Sequence, residues 1–160
     1  MKIFGIDCGS QRTGYGVIET DGRRHRALDF GVIRMHSASP FPKRLKKIYG
    51  ELDALVAEHK PDAVAIEEAF YAVNAQTFLK LAQVRGVALL LAAQADLPIG
   101  EYSPLEIKKS VVGFGRAQKK QVQMMVSSLL GLKEPVRSED AADALAVAIC
   151  HSQRGPGSAK

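Results

Sequence analysis

The run Asp62 to Ile66 (DAVAI) is a near-continuous apolar stretch of strand length, as in a strand covered on both faces. A strand of that kind needs a sheet with helical layers above and below it. The flanking sequence supplies them. Leu45, Ile48, Leu52, Leu55 and Val56 recur at helical spacing, and Pro61 ends that run. Beyond the strand, Asn74 can cap a second helix reaching about Ala95, and Pro98 breaks it. Its second half, GVALLLAAQA, is apolar nearly all round and is expected to be buried.

The chain begins differently. Lys2–Cys8, Thr13–Thr20 and His25–Met35 read as three antiparallel strands, with Asp21-Gly22 as a hairpin turn and Leu28, Phe30 and Val32 on one face. After the second helix, residues 99–102 form a brief fifth strand. Ser103-Pro104-Leu105-Glu106 opens a helix with a capping box and stops near Gly113. Residues 113–120 form a basic, glycine-containing loop. Val122, Met125, Val126, Leu129 and Leu130 mark another amphipathic helix closed by Gly131, and Ser138 can cap a last, alanine-rich one. The expected architecture is a mixed five-stranded α/β sheet flanked by helices. It is a single domain over 1–151 with a flexible tail over 152–160.

With 160 residues, 46% of them hydrophobic, the chain can bury a real core. Two cysteines, Cys8 and Cys150, make no disulfide scaffold and no zinc pair, and read as thiols of a reducing, cytoplasmic compartment. The longest apolar stretch, Gly86 to Ala93, is too short to span a bilayer, so no membrane partner is expected. A net charge of +5 permits a nucleic-acid partner without requiring one.

Carboxylates in apolar surroundings carry the chemistry. Asp7 ends the first strand and Glu67 follows the central one. A charge there is costly unless paired or bound to a cation. If those strands are parallel neighbours, both acids share one end of the sheet, where α/β folds gather ligands. Asp140 and Asp143, three apart, fall on one face of the last helix. Taken alone, they are ordinary helix-start acids favoured by the dipole. Four converging carboxylates repel one another unless divalent cations neutralise them, and oxygen ligands suit Mg²⁺, with Mn²⁺ as substitute. Two such ions can activate water for phosphodiester hydrolysis. Glu68 is expected to face solvent beside Glu67.

Other features have milder readings. The stretch Gly5 to Gly14 looks like a phosphate-binding hairpin of actin-like ATPases, but the chain is too short for their two-domain cleft, and a plain glycine-rich hairpin accounts for it. Lys43, Arg44, Lys46 and Lys47 read as a solvated helix face. Lys108 and Lys109 lie on the third helix. Arg116, Lys119 and Lys120 in the glycine loop can follow a nucleic-acid backbone. Phe70 and Tyr71, just past the acidic pair, can stack on unpaired bases. The histidines show no ligand spacing and read as surface or late-helix residues.

Four motifs stand in order: GIDCGSQRTGYGVIE, AIEEAFYAVNAQTFLKLAQVRGVALL, KKSVVGFGRAQKKQVQ and EDAADALAVAICH. Together they resemble the RuvC family of Holliday-junction resolvases, in the RNase H-like superfamily, from Lys2 to His151. The resemblance places Asp7, Glu67, Asp140 and Asp143 on the family's metal-binding catalytic acids. It places Phe70 on the aromatic that engages bases near the junction, and Lys108 and Lys119 on basic residues of DNA binding and cleavage. It implies a Mg²⁺-dependent endonuclease with two ions per site that makes paired nicks in four-way DNA junctions. It also implies a homodimer and a branch-migration motor as partner. Cys8, Glu68, Tyr71 and Val73 depart from common family residues. The residues by themselves reach only metal-dependent phosphoryl chemistry on nucleic acid. They leave open a related nuclease acting on RNA or RNA–DNA hybrid, and a catalytically inactive junction-binding protein.

Overall fold

A computed structural model describes residues 1–68 and 74–154. Strands β1 (Lys2–Asp7), β2 (Arg12–Thr20) and β3 (His25–Arg34) are antiparallel. Strands β4 (Ala63–Glu67) and β5 (Ile99–Tyr102) add in parallel on the other edge of β1, giving the order β3-β2-β1-β4-β5. Helices α1 (Phe41–His59) and α2 (Ala75–Gln94) cover one face, and α3 (Pro104–Val112), α4 (Lys119–Leu129) and α5 (Glu139–Arg154) the other.

Strand alternation splits the core into two layers. Phe4, Ile6, Val64 and Ile66 pack with Ile48, Leu52, Val84 and Leu91 on the α1/α2 side. Ile3, Ile18 and Ala65 pack under α5 with Leu145 and Ile149. Burial on both faces explains the unbroken apolar run of β4.

Helix α5 lies almost on the backbone of the sheet, and glycines make that possible. Gly5 and Gly16 are cross-strand partners on β1 and β2. A Cβ at Gly5 would come within 2.1 Å of the Ala144 carbonyl oxygen, and one at Gly14 within 1.9 Å of the Asp140 carbonyl oxygen. One at Gly16 would meet the Leu145 side chain at 2.7 Å. Small residues on both sides, Ala144 and Ala148 above and the glycines below, set the helix height. The glycine-rich start is therefore a floor for α5, which neither sequence reading had proposed.

Local signals hold where they were read. The Asn74 carboxamide oxygen accepts the Thr77 N–H at 2.8 Å. Ser103 and Glu106 form the reciprocal capping box. Gly113 and Gly131 take left-handed backbone at φ 89° and 62°.

Several expectations need correction. A register shift between β2 and β3 falls at Leu28, so Leu28 packs on the α1/α2 side while Val32 packs on the α5 side, and Phe30 is exposed. Helix α2 is not buried all round: Leu79 and Leu90, three turns apart on one face, are 60% and 54% exposed. Lys119 and Lys120 leave the basic loop and start α4, because Gln118 and Gln121 form a capping box there. Met125 on α4 is exposed, and Val122, Val126 and Leu130 carry its packing. His151 is buried, with its Nδ1 2.8 Å from the Tyr102 hydroxyl. Residues 152–154 belong to α5, and Ser152 is buried. The remainder of the expected tail, 155–160, lies outside the described residues. Among the described residues no helix is long and apolar enough to cross a membrane.

Candidate active site

Parallel pairing of β1 with β4 aligns Ile6 with Ile66, so Asp7 and Glu67 leave the sheet side by side. The next residue, Glu68, is exposed, as strand alternation requires. Gly14 lies opposite Asp7 in the register and against the backbone of Asp140. That contact seats the start of α5 over the same end of the sheet. Ser138 precedes the helix and its hydroxyl accepts the Ala141 N–H at 3.4 Å. Asp140 and Asp143 then project from the first turns into a cleft of about 360 Å³ that Asp7 and Glu67 also line. Helices α3 and α4 close its far wall with Lys108 and Lys119.

The cleft is electrostatically strained. Burial, then the carboxylates of Asp143, Glu67 and Asp140, push the Asp7 carboxyl up to about 8, and Lys119 opposes them. Burial and Asp143 push Glu67 up to about 7, against Lys108 and Lys119. Asp143 is raised mainly by burial. The Asp143 carboxylate in turn raises the Lys119 ammonium. Such a cluster gains from any group that brings positive charge among the acids. As placed, the carboxylates line the cleft rather than close on one point. Among the described residues no three acidic, histidine or cysteine side chains converge tightly enough to enclose an ion.

A smaller adjoining cleft, also touching Asp7 and Glu67, runs toward α2 and is lined by Cys8, Glu68 and Arg85. Burial, then Asp7, pushes the Cys8 thiol up to about 12, so it holds no thiolate at neutral pH.

The structure thus brings together Asp7, Glu67, Asp140, Asp143, Lys108 and Lys119. Arg116 and Lys120 are exposed and do not line the cleft. Phe70, with Tyr71 and Val73, lies outside the described residues. Two arginines escaped the sequence reading. Arg85 on α2 pairs with Glu101 on β5. Arg12, at the start of β2, places its Nε 3.2 Å from Asp140 Oδ2. Arg12 stood inside the first motif, but nothing local pointed it at a residue near the far end of the chain.

Residues 3–151 match the family described as crossover junction endodeoxyribonuclease RuvC. The chain is 53% identical over 151 residues to a protein of that name from Syntrophomonas wolfei, covering 94% of this chain and 88% of that one. It is 51% identical over 152 residues to one from Citrifermentans bemidjiense, covering 95% and 92%. Among solved structures it superposes with Thermus thermophilus RuvC in complex with Holliday junction substrate at a TM-score of 0.92 and 33% identity, covering 96% and 94% of the two chains. The yeast mitochondrial Holliday junction resolvase, 13% identical with a TM-score of 0.65, shares the fold.

Proposed function

The chain belongs to the RuvC family of crossover junction endodeoxyribonucleases, and on that premise we propose that the four-carboxylate cleft is its cutting centre. The protein is a structure-selective endonuclease of RNase H-like fold that resolves four-way DNA junctions. The observation that carries the site assignment is the convergence of Asp7, Glu67, Asp140 and Asp143, from β1, β4 and α5, on one cleft beside two lysines.

The donor set fits hard divalent cations. Every candidate ligand is a carboxylate oxygen, and burial, then the neighbouring acids, hold Asp7 far above the usual carboxylate range. Asp7, Glu67, Asp140 and Asp143 would hold Mg²⁺, or Mn²⁺ in its place, two ions to a cleft. Cations held there would supply activation of water and charge stabilisation at the leaving oxygen of the phosphodiester. Lys108 and Lys119 bring the scissile strand to the acids, Arg116 and Lys120 follow the backbone outside the cleft, and Phe70 stacks on a base at the crossover. Two cuts related by a two-fold axis call for an isologous homodimer. The exposed apolar face of α2 around Leu79 and Leu90 supplies its contact. A branch-migration motor delivers the junction, in the cytoplasm.

Cleavage of matched four-way junction, linear duplex and RNA–DNA hybrid in Mg²⁺ tests the reading. Paired nicks in the junction and none in the others are expected. Preferential cutting of the hybrid, or junction binding without cutting, would replace it with one of the two other readings.

A pH effect follows from the raised carboxyls. Unfolded, Asp7 and Glu67 ionise near 4; folded and metal-free they ionise near 8 and 7. Their ionisation therefore costs stability progressively as pH rises from about 4 to about 8. Cations bind the ionised form and remove that cost. The gain in Tm on adding Mn²⁺ is expected to be small near pH 5 and large near pH 8. Comparing samples with and without cation at each pH cancels His25 and His151, whose pKa values burial lowers. A gain independent of pH would contradict the assignment.

A further inference from the structure

Arg12 holds Asp140 in a geometry that a cation would have to undo. Its Nε lies 3.2 Å from Asp140 Oδ2, with the arginine side chain 59% exposed and the aspartate 23%. The Asp140 backbone cannot retreat, because its carbonyl packs against Gly14. The carboxylate can still turn, and a guanidinium on Oδ2 draws on the same negative charge that a divalent ion would use. On the opposite side Arg12 faces Arg34, its cross-strand partner, across β2 and β3. Lys119 stands in the same relation to Glu139, one residue before Asp140, at 3.4 Å. It also faces Asp143, so it is the shared counterion of the cluster, whereas Arg12 is committed to a single candidate ligand.

We propose that Arg12 is a positioning residue that acts as the exchangeable counterion of Asp140. It competes with the divalent cation for that carboxylate and so holds down the cleft's affinity for metal. Without metal the pair shields Asp140 from the other acids. On loading, the guanidinium gives up Asp140 Oδ2 and moves into solvent, which its exposure allows. The inference rests on the reading that the four acids hold cations.

The test is calorimetric titration of the full chain with Mn²⁺ in the absence of DNA, comparing wild type, Arg12→Gln, Arg12→Lys and Arg34→Gln. An exposed ion pair of this kind sets the scale, and Arg12→Gln is expected to bind Mn²⁺ about two- to five-fold more tightly. Arg12→Lys keeps a competing charge and stays near wild type. Arg34→Gln removes one positive charge next door but leaves the pair intact, and also stays near wild type. Circular dichroism and Tm confirm that each variant is folded. If Arg12→Gln binds as wild type does, or if Arg34→Gln tightens binding equally, the competition is overturned while the metal site stands. If wild type binds no Mn²⁺ that Asp7→Asn abolishes, the reading of the cleft fails as well.

Discussion

Asp7→Asn is expected to lower junction cleavage in Mg²⁺ by several orders of magnitude and to leave junction binding close to wild type. Asparagine keeps the shape of the side chain and removes the charge at the centre of the acid cluster, where transition-state charge must be stabilised. Binding should survive, because the proposed contacts to the DNA backbone come from lysines and arginines. The same substitution has a second signature. Asp7 is a liability without metal, raised to about 8 by burial and by its acidic neighbours. Asp7→Asn should therefore raise Tm in chelator near pH 8 while erasing the further gain that Mn²⁺ gives wild type. In a mixed dimer of wild-type and Asp7→Asn subunits, one strand is expected to be nicked and its symmetry mate left intact. Near-normal cleavage by the variant would remove Asp7 from the centre of the site.

Gly14→Ala is the second large effect. A methyl group there would sit 1.9 Å from the Asp140 carbonyl oxygen, a backbone atom of the helix that carries two of the four acids. Either α5 lifts or β2 bends, and both are packed on their remaining sides. A cost of about 3 kcal/mol or more is expected, at the upper end of overpacking effects. That corresponds to a fall in Tm of roughly 6–12 °C for a chain of this size. Cleavage should fall further than stability explains, because Asp140 is displaced. Gly50 in α1 is the contrast. A Cβ there meets nothing within 4 Å, so Gly50→Ala should raise stability by about 0.4–1 kcal/mol. Equal thermal unfolding of Gly14→Ala and wild type would refute the glycine floor.

Much of this was legible from local pattern. The apolar run at β4, the helical spacing of α1 and the capping residues Asn74 and Ser103 fixed element types, because each signal is held within a few residues. In the sequence the parallel pairing of β1 and β4 is only a condition; the structure meets it, and it sets Asp7 beside Glu67. Asp140 and Asp143 are legible as a pair from their spacing and, combined with Asp7 and Glu67, as part of a four-acid metal cluster, which the family resemblance sharpens.

What escaped reading is long-range. Sequence gives the second half of α2 an apolar surface nearly all round, but not which side the chain itself covers, so Leu90 reads as buried although it is exposed. The shift at Leu28 depends on how β3 curls over β2. His151 is buried because α5 extends past it against Tyr102, and its neighbours in sequence carry no sign of that. The stretch Gly5 to Gly14 reads as a plain glycine-rich hairpin, whereas the height of α5 above the sheet demands glycine at 5, 14 and 16. Arg12 finds Asp140 only after the whole fold is assembled.

The most direct test of the central claim is a crystal structure of the protein soaked with Mn²⁺, with anomalous density measured around the cleft. Density among Asp7, Glu67, Asp140 and Asp143, with the carboxylates drawn inward and Asp140 turned from Arg12, is the predicted result. Mn²⁺ density confined to other parts of the molecule, in crystals of protein that still cuts junctions in Mn²⁺, would contradict the assignment of these four acids as the cutting centre.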